Sequence, residues 1–264
     1  MSKKRITLFQ MPVDLLTDKD ILEKIIIDLS APLSYTHIVS INPENIVIAQ
    51  QNPAFLAVCQ RADLALADGI GVVIGAKLLG FPVPPRVSGS LLLPQLLDLA
   101  GRMSSRVVLI GSQANLADNI AKCYSRSYPE ATFIGLKGYA DKRHPTPEEE
   151  RVIEDIVRDT RPHFVFIAFG SPFQELWIDT HKKLLLTSIC MGVGGAFDYL
   201  SGAAQKPPSF IRSFGLEWFY RLIREPHRAK RQLSRLPVFV GMVFRHWFSG
   251  IMHPRHEKTS PHRF

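Results

Sequence analysis

The feature that most constrains this chain is a set of continuous apolar runs, each ending in a short loop of Gly, Asn, Asp, Ser or Gln. HIVSIN (37–42) ends at Asn42, DLALADG (63–69) at Asp68-Gly69 and VVLIGS (107–112) at Gly111-Ser112. HFVFIAFGSPFQE (163–175) ends in Gly170-Ser171-Pro172 and then Gln174-Glu175. SICMGVGGAFD (188–198) ends in Gly192, Gly194-Gly195 and Asp198. Runs that are apolar at every position suit strands buried on both faces, as in a parallel sheet. Ligands of such sheets bind just beyond the carboxyl ends of the strands. The repetition therefore predicts one crevice lined by backbone N–H groups and a few polar side chains, which is the chemistry of a nucleotide or phosphate site.

Between these runs the pattern is helical. The spacing predicts helices over 43–60, 70–80, 90–104 and 113–127. TFIGL is a strand leading to a KGYAD loop, and the acidic PTPEEERVIEDIVRD precedes a strand at 163–169. FQELWIDTHKKLL is helical, and SICMGVG is a further strand. At the start, ITLF is a short strand and Pro12 a turn. Thr17-Asp18-Lys19-Asp20 then caps a helix with apolar positions Ile21, Leu22, Ile25 and Ile26. Repeated β-α units imply an α/β fold: a parallel sheet with helices on both faces and right-handed crossovers. Residues 1–204 read as the catalytic domain. AAQKPPS (203–209) reads as a linker, and 205–264 as a helical appendage broken near Glu225-Pro226.

The net charge of +8 is unevenly placed. Residues 1–204 hold 20 Lys/Arg against 21 Asp/Glu, whereas 205–264 hold 12 against 3. A basic tail fits nucleic acid or an anionic membrane. The tail also carries Trp218, Phe219, Tyr220, Phe239, Phe244, Trp247 and Phe248, and apolar groups beside arginine favour a membrane interface. LPVFVGMVF (236–244) is far shorter than the roughly 20 residues of a membrane span. The alternative is a helical pair packed on the main domain with its arginines solvated. Three scattered cysteines without a CxxC spacing argue against a zinc site or a disulfide framework.

Several residues have chemistry to offer. Asp68 ends an apolar strand, and Gly69 lets a helix begin at once. A partly desolvated carboxylate there suits a general base, and capping the next helix is the competing role. Asn42 and Gln174 share that ambiguity. Arg86 follows Pro84-Pro85 and precedes Val87-Ser88-Gly89, a rigid turn that presents a guanidinium to a diphosphate. Asp18-Lys19-Asp20 has the Asp-x-Asp spacing of some metal sites, but its place at a helix start favours capping, and no metal or cofactor is expected. GVGG (192–195) lacks the third glycine of a dinucleotide fingerprint, since residue 197 is Phe, so an NAD(P)-dependent oxidoreductase ranks as an alternative. A nucleic-acid-binding module acting through the basic tail is the non-enzymatic alternative.

With SINPENIVIA, ADLALADGIGVV, RVSGSLL, AFGSPFQELWI, MGVGGAFDYLSG and GLEWFYRLIREPHRAKRQ in this order, the sequence resembles the WecG/TagA/CpsF family of bacterial glycosyltransferases over about residues 35–235. The resemblance implies a Rossmann-like domain with a membrane-associating appendage on the inner face of the cell membrane. It implies an inverting hexosyltransferase that uses a UDP-sugar donor and a polyprenyl-diphosphate-linked saccharide acceptor. It makes Asp68 the base and places Ser40, Asn42, Arg86, Gln174, Arg221, Arg228 and Arg231 around the donor diphosphate. Gly111, Gly138, Gly170, Gly194 and Asp198 complete that donor site, and nucleic acid is not a partner. A homo-oligomer is compatible with the sequence. Two positions depart from the family pattern: Phe173 stands where Pro-Lys-Gln-Glu has lysine, and Lys206-Pro207-Pro208 where Arg-Ala-Pro is usual.

Overall fold

The computed structural model describes residues 4–31, 35–111, 115–205, 207–208, 211, 219–220 and 226–252, with the backbone alone at 226–232 and 250–252. Strands β1 (Arg5–Leu8) and β2 (Met11–Asp14) form an antiparallel hairpin, followed by α1 (Asp18–Ser30). Then come β3 (Thr36–Ile41), α2 (Pro43–Gln51), α3 (Pro53–Arg61), β4 (Leu64–Ala67), α4 (Ile70–Leu78) and α5 (Gly89–Arg102). Next are β5 (Arg106–Gly111), α6 (Leu116–Ser127), β6 (Thr132–Leu136), α7 (Pro147–Thr160), β7 (Phe164–Ala168) and α8 (Phe173–Thr180). The last elements are β8 (Ile189–Gly192), α9 (Ala196–Leu200) and α10 (Pro226–Met252).

Strands β3 to β8 make one parallel sheet in the order β4-β3-β8-β7-β5-β6. Both faces are covered, which explains why the strands are predominantly apolar. Ile38, Leu64, Leu66, Val107, Leu109, Phe164, Phe166, Ile189 and Met191 point to one face, in a core shared with α1, α5, α6 and α9. The alternate residues point to the other face. Val39, Ile41, Ala65 and Ala67 pack with the hairpin, α2, α3, α4 and α10. Val108, Ile110, Val165, Ile167 and Cys190 pack with α7 and α8. Each large side chain buried this way contributes about 1.5–3 kcal/mol relative to exposure.

Two local expectations are corrected. Pro12 is not a turn residue but lies within β2, opposite Thr7. The two-stranded hairpin tolerates a residue without an N–H. The turn falls at Phe9-Gln10, both with positive φ (50° and 65°). It is held by Gln50 and Gln60, whose amides donate to the carbonyls of Phe9 and Gln10. The helix expected over 43–60 is two helices. Asn52 caps the second by accepting from the Phe55 N–H, and Pro53 sits in its first turn, where its missing N–H costs no helical bond.

The hairpin is fastened to the sheet by Asp14, which is buried. Its carboxylate pairs with Arg5 and accepts the Ala65 N–H at 2.7 Å. Helix α10 lies against α2 and α4, and the residues just before it, where a break near Glu225-Pro226 was expected, lie outside the described residues. Phe239 and Val243 are buried there, seated over Gly75, where an added methyl would meet the Phe239 ring at 3.2 Å and Val243 at 3.4 Å. Among the described residues, no helix is long and apolar enough to cross a membrane.

Candidate active site

The sheet order brings residues that are far apart in sequence onto one edge. Because all six strands run parallel, their carboxyl ends form a row. Asp68 follows β4, Asn42 follows β3, Gly194 follows β8, and Gly170 with Gln174 follows β7. Gly111 ends β5, and Gly138 follows β6.

At the β4 end, the Asp68 N–H donates to the Ile41 carbonyl at 2.8 Å, so Asp68 continues the strand register. The N-cap of α4 is Gly69 (φ 95°), and the helix has no side-chain cap. Asp68 sits one residue before that N-cap. The Val87 N–H donates to the Ala67 carbonyl at 2.9 Å, which lays the Arg86-Val87-Ser88 segment along the outer side of β4 and starts α5 beside it. A methyl built on Gly89, the first residue of α5, would lie 3.3 Å from Ser40 Oγ and 3.7 Å from Asp68 Oδ2. Ser40, Asp68 and the N-terminus of α5 thus converge, with Arg86 three residues before Gly89. The α5 N-cap, Ser88, makes no side-chain cap bond, and its hydroxyl pairs with Ser90 Oγ at 2.9 Å. A helix N-terminus of this kind favours an anion.

Asn42 caps α2, its Oδ1 accepting the Asn45 N–H at 2.9 Å, and Asn45 in turn donates to the Ser40 carbonyl at 2.7 Å. Both bonds hold the β3 end in place. Gln174 is buried, and its Oε1 accepts from the N–H of Gly170 (2.9 Å) and of Gly194 (3.1 Å), joining the loops after β7 and β8. Its Nε2 donates to Glu175 Oε1 at 2.8 Å. Gly192 is a glycine for this reason: a methyl there would lie 2.5 Å from Gln174 Nε2. Burial pushes the Glu175 carboxyl up, and its Oε2 has no hydrogen-bond partner among the described residues. The N–H groups of Gly170 and Gly194, read from sequence as donors to a ligand, are thus engaged by Gln174.

At the far end, Gly111 and Gly138 pack around the Phe169 ring, which a methyl on either would meet at 3.0 Å. A cavity of about 240 Å³ opens beside them, lined by Gly111, Asn115, Asp118, Gly135 and Lys137 among others. Asp198 lies in the first turn of α9, and its carbonyl accepts from the Ala204 N–H at 2.8 Å. Arg221 lies outside the described residues. Arg228 and Arg231 are described by backbone alone, in the first turns of α10. Asp20 closes a capping box with Thr17, so this part of the Asp-x-Asp is engaged at the start of α1.

Sequence reasoning missed three features. Arg235 of α10 reaches Glu44 in the first turn of α2, at 3.5 Å, so the tail helix meets the strand-end edge next to Asn42. Lys142 turns back onto the end of β7, where Nζ donates to the Phe169 carbonyl at 2.7 Å. Glu150, Glu154 and His181 form a cluster with metal-ligand chemistry. His181 Nε2 lies 2.7 Å from Glu150 and 3.4 Å from Glu154, and Tyr139 links Glu150 to Trp177. It fastens α8 to α7 and to the loop after β6. None of the three is signalled by local spacing, because each depends on elements that only the fold brings together.

The fold is a parallel α/β sheet covered by helices on both faces, and its strand-end edge sets an acid beside a helix N-terminus and an arginine-bearing loop, the edge at which sheets of this class bind their ligands. A family model described as the WecG/TagA/CpsF family of glycosyl transferases matches residues 6–252, and the chain belongs to that family. It is a glycosyltransferase. It is 37% identical over 209 residues to a Bacillus spizizenii N-acetylglucosaminyldiphosphoundecaprenol N-acetyl-beta-D-mannosaminyltransferase, covering 79% of each chain. Proteins of the same name are similar to it in Bacillus subtilis (33% over 228 residues; 86% of this chain, 84% of that one) and Staphylococcus aureus (31% over 206 residues; 78% of each).

Proposed function

We propose that the chain transfers one hexosyl unit from a UDP-sugar to a saccharide carried on a polyprenyl diphosphate, with inversion at the anomeric carbon. The observation that carries this reading is the convergence of Asp68 Oδ2 and Ser40 Oγ at the N-terminus of α5. Asp68 takes the proton of the acceptor hydroxyl as its oxygen bonds to the anomeric carbon. The bond to UDP breaks, and UDP leaves with the electron pair. Arg86 and the first N–H groups of α5 face the charge that develops on the departing diphosphate, a preorganised arrangement that suits such a reaction. The names of the relatives favour N-acetylmannosamine as the sugar and an N-acetylglucosaminyl diphospholipid as acceptor; a glucose-type donor is the second choice.

The acceptor is a lipid, so the enzyme works at a membrane surface. Outward-facing Leu233, Val240, Phe244, Trp247 and Phe248 of α10, with Ile74 and Leu78 of α4, supply the apolar groups for a peripheral contact. Helix α4 starts directly after Asp68-Gly69, which ties that surface to the reacting end of β4. The helical repeat sets positions 228, 231 and 235 on one face of α10, and Arg235 touches the strand-end edge. This supports a diphosphate role for the tail arginines on the inner face of the membrane. The test is UDP release by purified protein across a panel of UDP-sugars, with a short polyprenyl-diphosphate N-acetylglucosamine as acceptor. Turnover with UDP-N-acetylmannosamine that depends on the acceptor is expected. Failure to turn over any UDP-sugar with any lipid-diphosphate acceptor would defeat the reading.

A further inference from the structure

The engagement of Gly170 and Gly194 by Gln174 removes two backbone N–H donors from the middle of the strand-end row. A side chain can take over the part of those donors for an anionic donor group arriving there. Lys142 is placed for this. It comes from the loop between β6 and α7, and its ammonium is drawn back to the carboxyl end of β7. There it donates to the Phe169 carbonyl at 2.7 Å and stands 5.4 Å from the centre of the Phe173 ring. A methyl on Gly170 would come within 3.6 Å of Nζ. The carbonyl and the ring face are both electron-rich, and together they hold a cation in place at a bend that has no side chain of its own. The loop is itself anchored. The Ala140 N–H donates to Glu149 at 2.8 Å, and Tyr139 is hydrogen-bonded to Glu150 and packed on Phe169 with ring centres 4.8 Å apart.

We propose that Lys142 is a donor-binding residue that meets an anionic group of the donor, its diphosphate or a carboxylate on its sugar, at the end of β7. This rests on the nucleotide-sugar reading given above. Phe173 serves as the seat of the cation, so the charge reaches the crevice from a neighbouring loop although residue 173 is apolar. The exposed loop lysine is thereby a donor-binding cation and not a solubilising charge.

The proposal is tested by calorimetric titration of uridine, UDP, UDP-N-acetylglucosamine and UDP-glucuronic acid into the full chain, into Lys142→Gln, and into Lys142→Gln with Phe173→Lys. Lys142→Gln is expected to weaken UDP and both UDP-sugars roughly tenfold, the usual scale for a charge-assisted bond, while uridine binds as before. The added Phe173→Lys is expected to recover most of the loss. Weakening confined to UDP-glucuronic acid would assign the lysine to a sugar carboxylate instead of the diphosphate. Unchanged binding of all four ligands overturns the proposal, and so does an equal loss for uridine, which would make Lys142 a prop for its loop. Absence of UDP affinity in the unsubstituted chain overturns the nucleotide-sugar reading and the proposal with it.

Discussion

The Gln174 amide gives its N–H to Glu175 Oε1 at 2.8 Å, and that bond decides which end of the amide faces the strand-end loops. With Nε2 committed to the carboxyl group, Oε1 is left to accept from both Gly170 and Gly194. Gln174→Leu keeps the bulk but leaves two backbone N–H groups without their partner and Glu175 Oε1 with the Ser171 hydroxyl alone. A buried group that loses its partner costs about 1–3 kcal/mol, so the variant should be less stable by at least that much, as read by urea unfolding. A change below measurement error would show that the loops hold themselves.

Asp68→Asn keeps the shape of the side chain and removes its basicity. UDP binding should persist while turnover falls by roughly 10²–10⁴, the contribution of a positioned base. The paired measurement is calorimetry with UDP and UDP release on a lipid-diphosphate acceptor. Near-normal turnover would leave the carboxylate without a catalytic part.

Asp20 is bonded to Thr17 through a capping box, and hydrogen bonds from Thr17 hold its carboxyl below the usual carboxylate range. Asp18→Asn with Asp20→Asn should therefore lower the melting temperature and leave turnover per folded molecule unaltered. Transfer should also continue in excess EDTA. Loss of transfer in EDTA with recovery on adding Mg²⁺ or Mn²⁺ would reassign the acids.

The tail helix has one buried and one exposed apolar face. Phe239 is buried over α4, and Phe239→Ala should cost about 3–5 kcal/mol, measured by chemical unfolding. Phe244, Trp247 and Phe248 face outward. Changing all three to serine should leave the fold intact and weaken co-sedimentation with anionic liposomes. Binding should also fall with salt, since each basic residue near such a surface is worth about 1 kcal/mol. Full-strength sedimentation of the triple variant would place the membrane contact elsewhere.

His37 lies buried in β3, and burial holds its imidazole down to about 4. As pH falls below the ordinary histidine value of about 6.5, the unfolded chain takes up the proton and the folded chain does not. Stability is therefore lost between roughly pH 6.5 and pH 4, by about 3 kcal/mol for this group. His37→Gln should lose less stability than the parent over that interval. Parallel urea midpoints at pH 7 and pH 4 would show otherwise if the two proteins fell together.

Much of this molecule is legible without coordinates, and the reason is local. LALA, VVLIG and FVFIA are apolar at every position, and HIVSI at all but His37 and Ser40, as suits a strand covered on both faces, so the parallel α/β class follows from the runs themselves. Asn42-Pro43 and Thr146-Pro147 start helices through bonds that span three residues, and those too are written in the chain. Misreadings came where a local signal had two meanings. Pro12 suited a turn or an edge strand, and Pro53 lay inside an apolar periodicity that ran on across it.

What tertiary structure alone decided is the lateral order of the strands and, through it, who meets whom. Nothing in the periodicity of β8 says that it lies between β3 and β7, yet that placement brings Gly194 to Gln174. Asp68 reads from the chain as a cap of α4 or as a crevice residue, and only the fold lays α5 alongside, with Gly89 next to Asp68 Oδ2 and Ser40 Oγ. Lys142 and Arg235 carry no motif, and each acquires its place from a partner more than 25 residues away in the chain. Periodicity reports which side of an element is buried, because burial is decided within a few residues. The identity of a hydrogen-bond partner depends on contacts across the sheet, and those exist only once the chain has closed on itself.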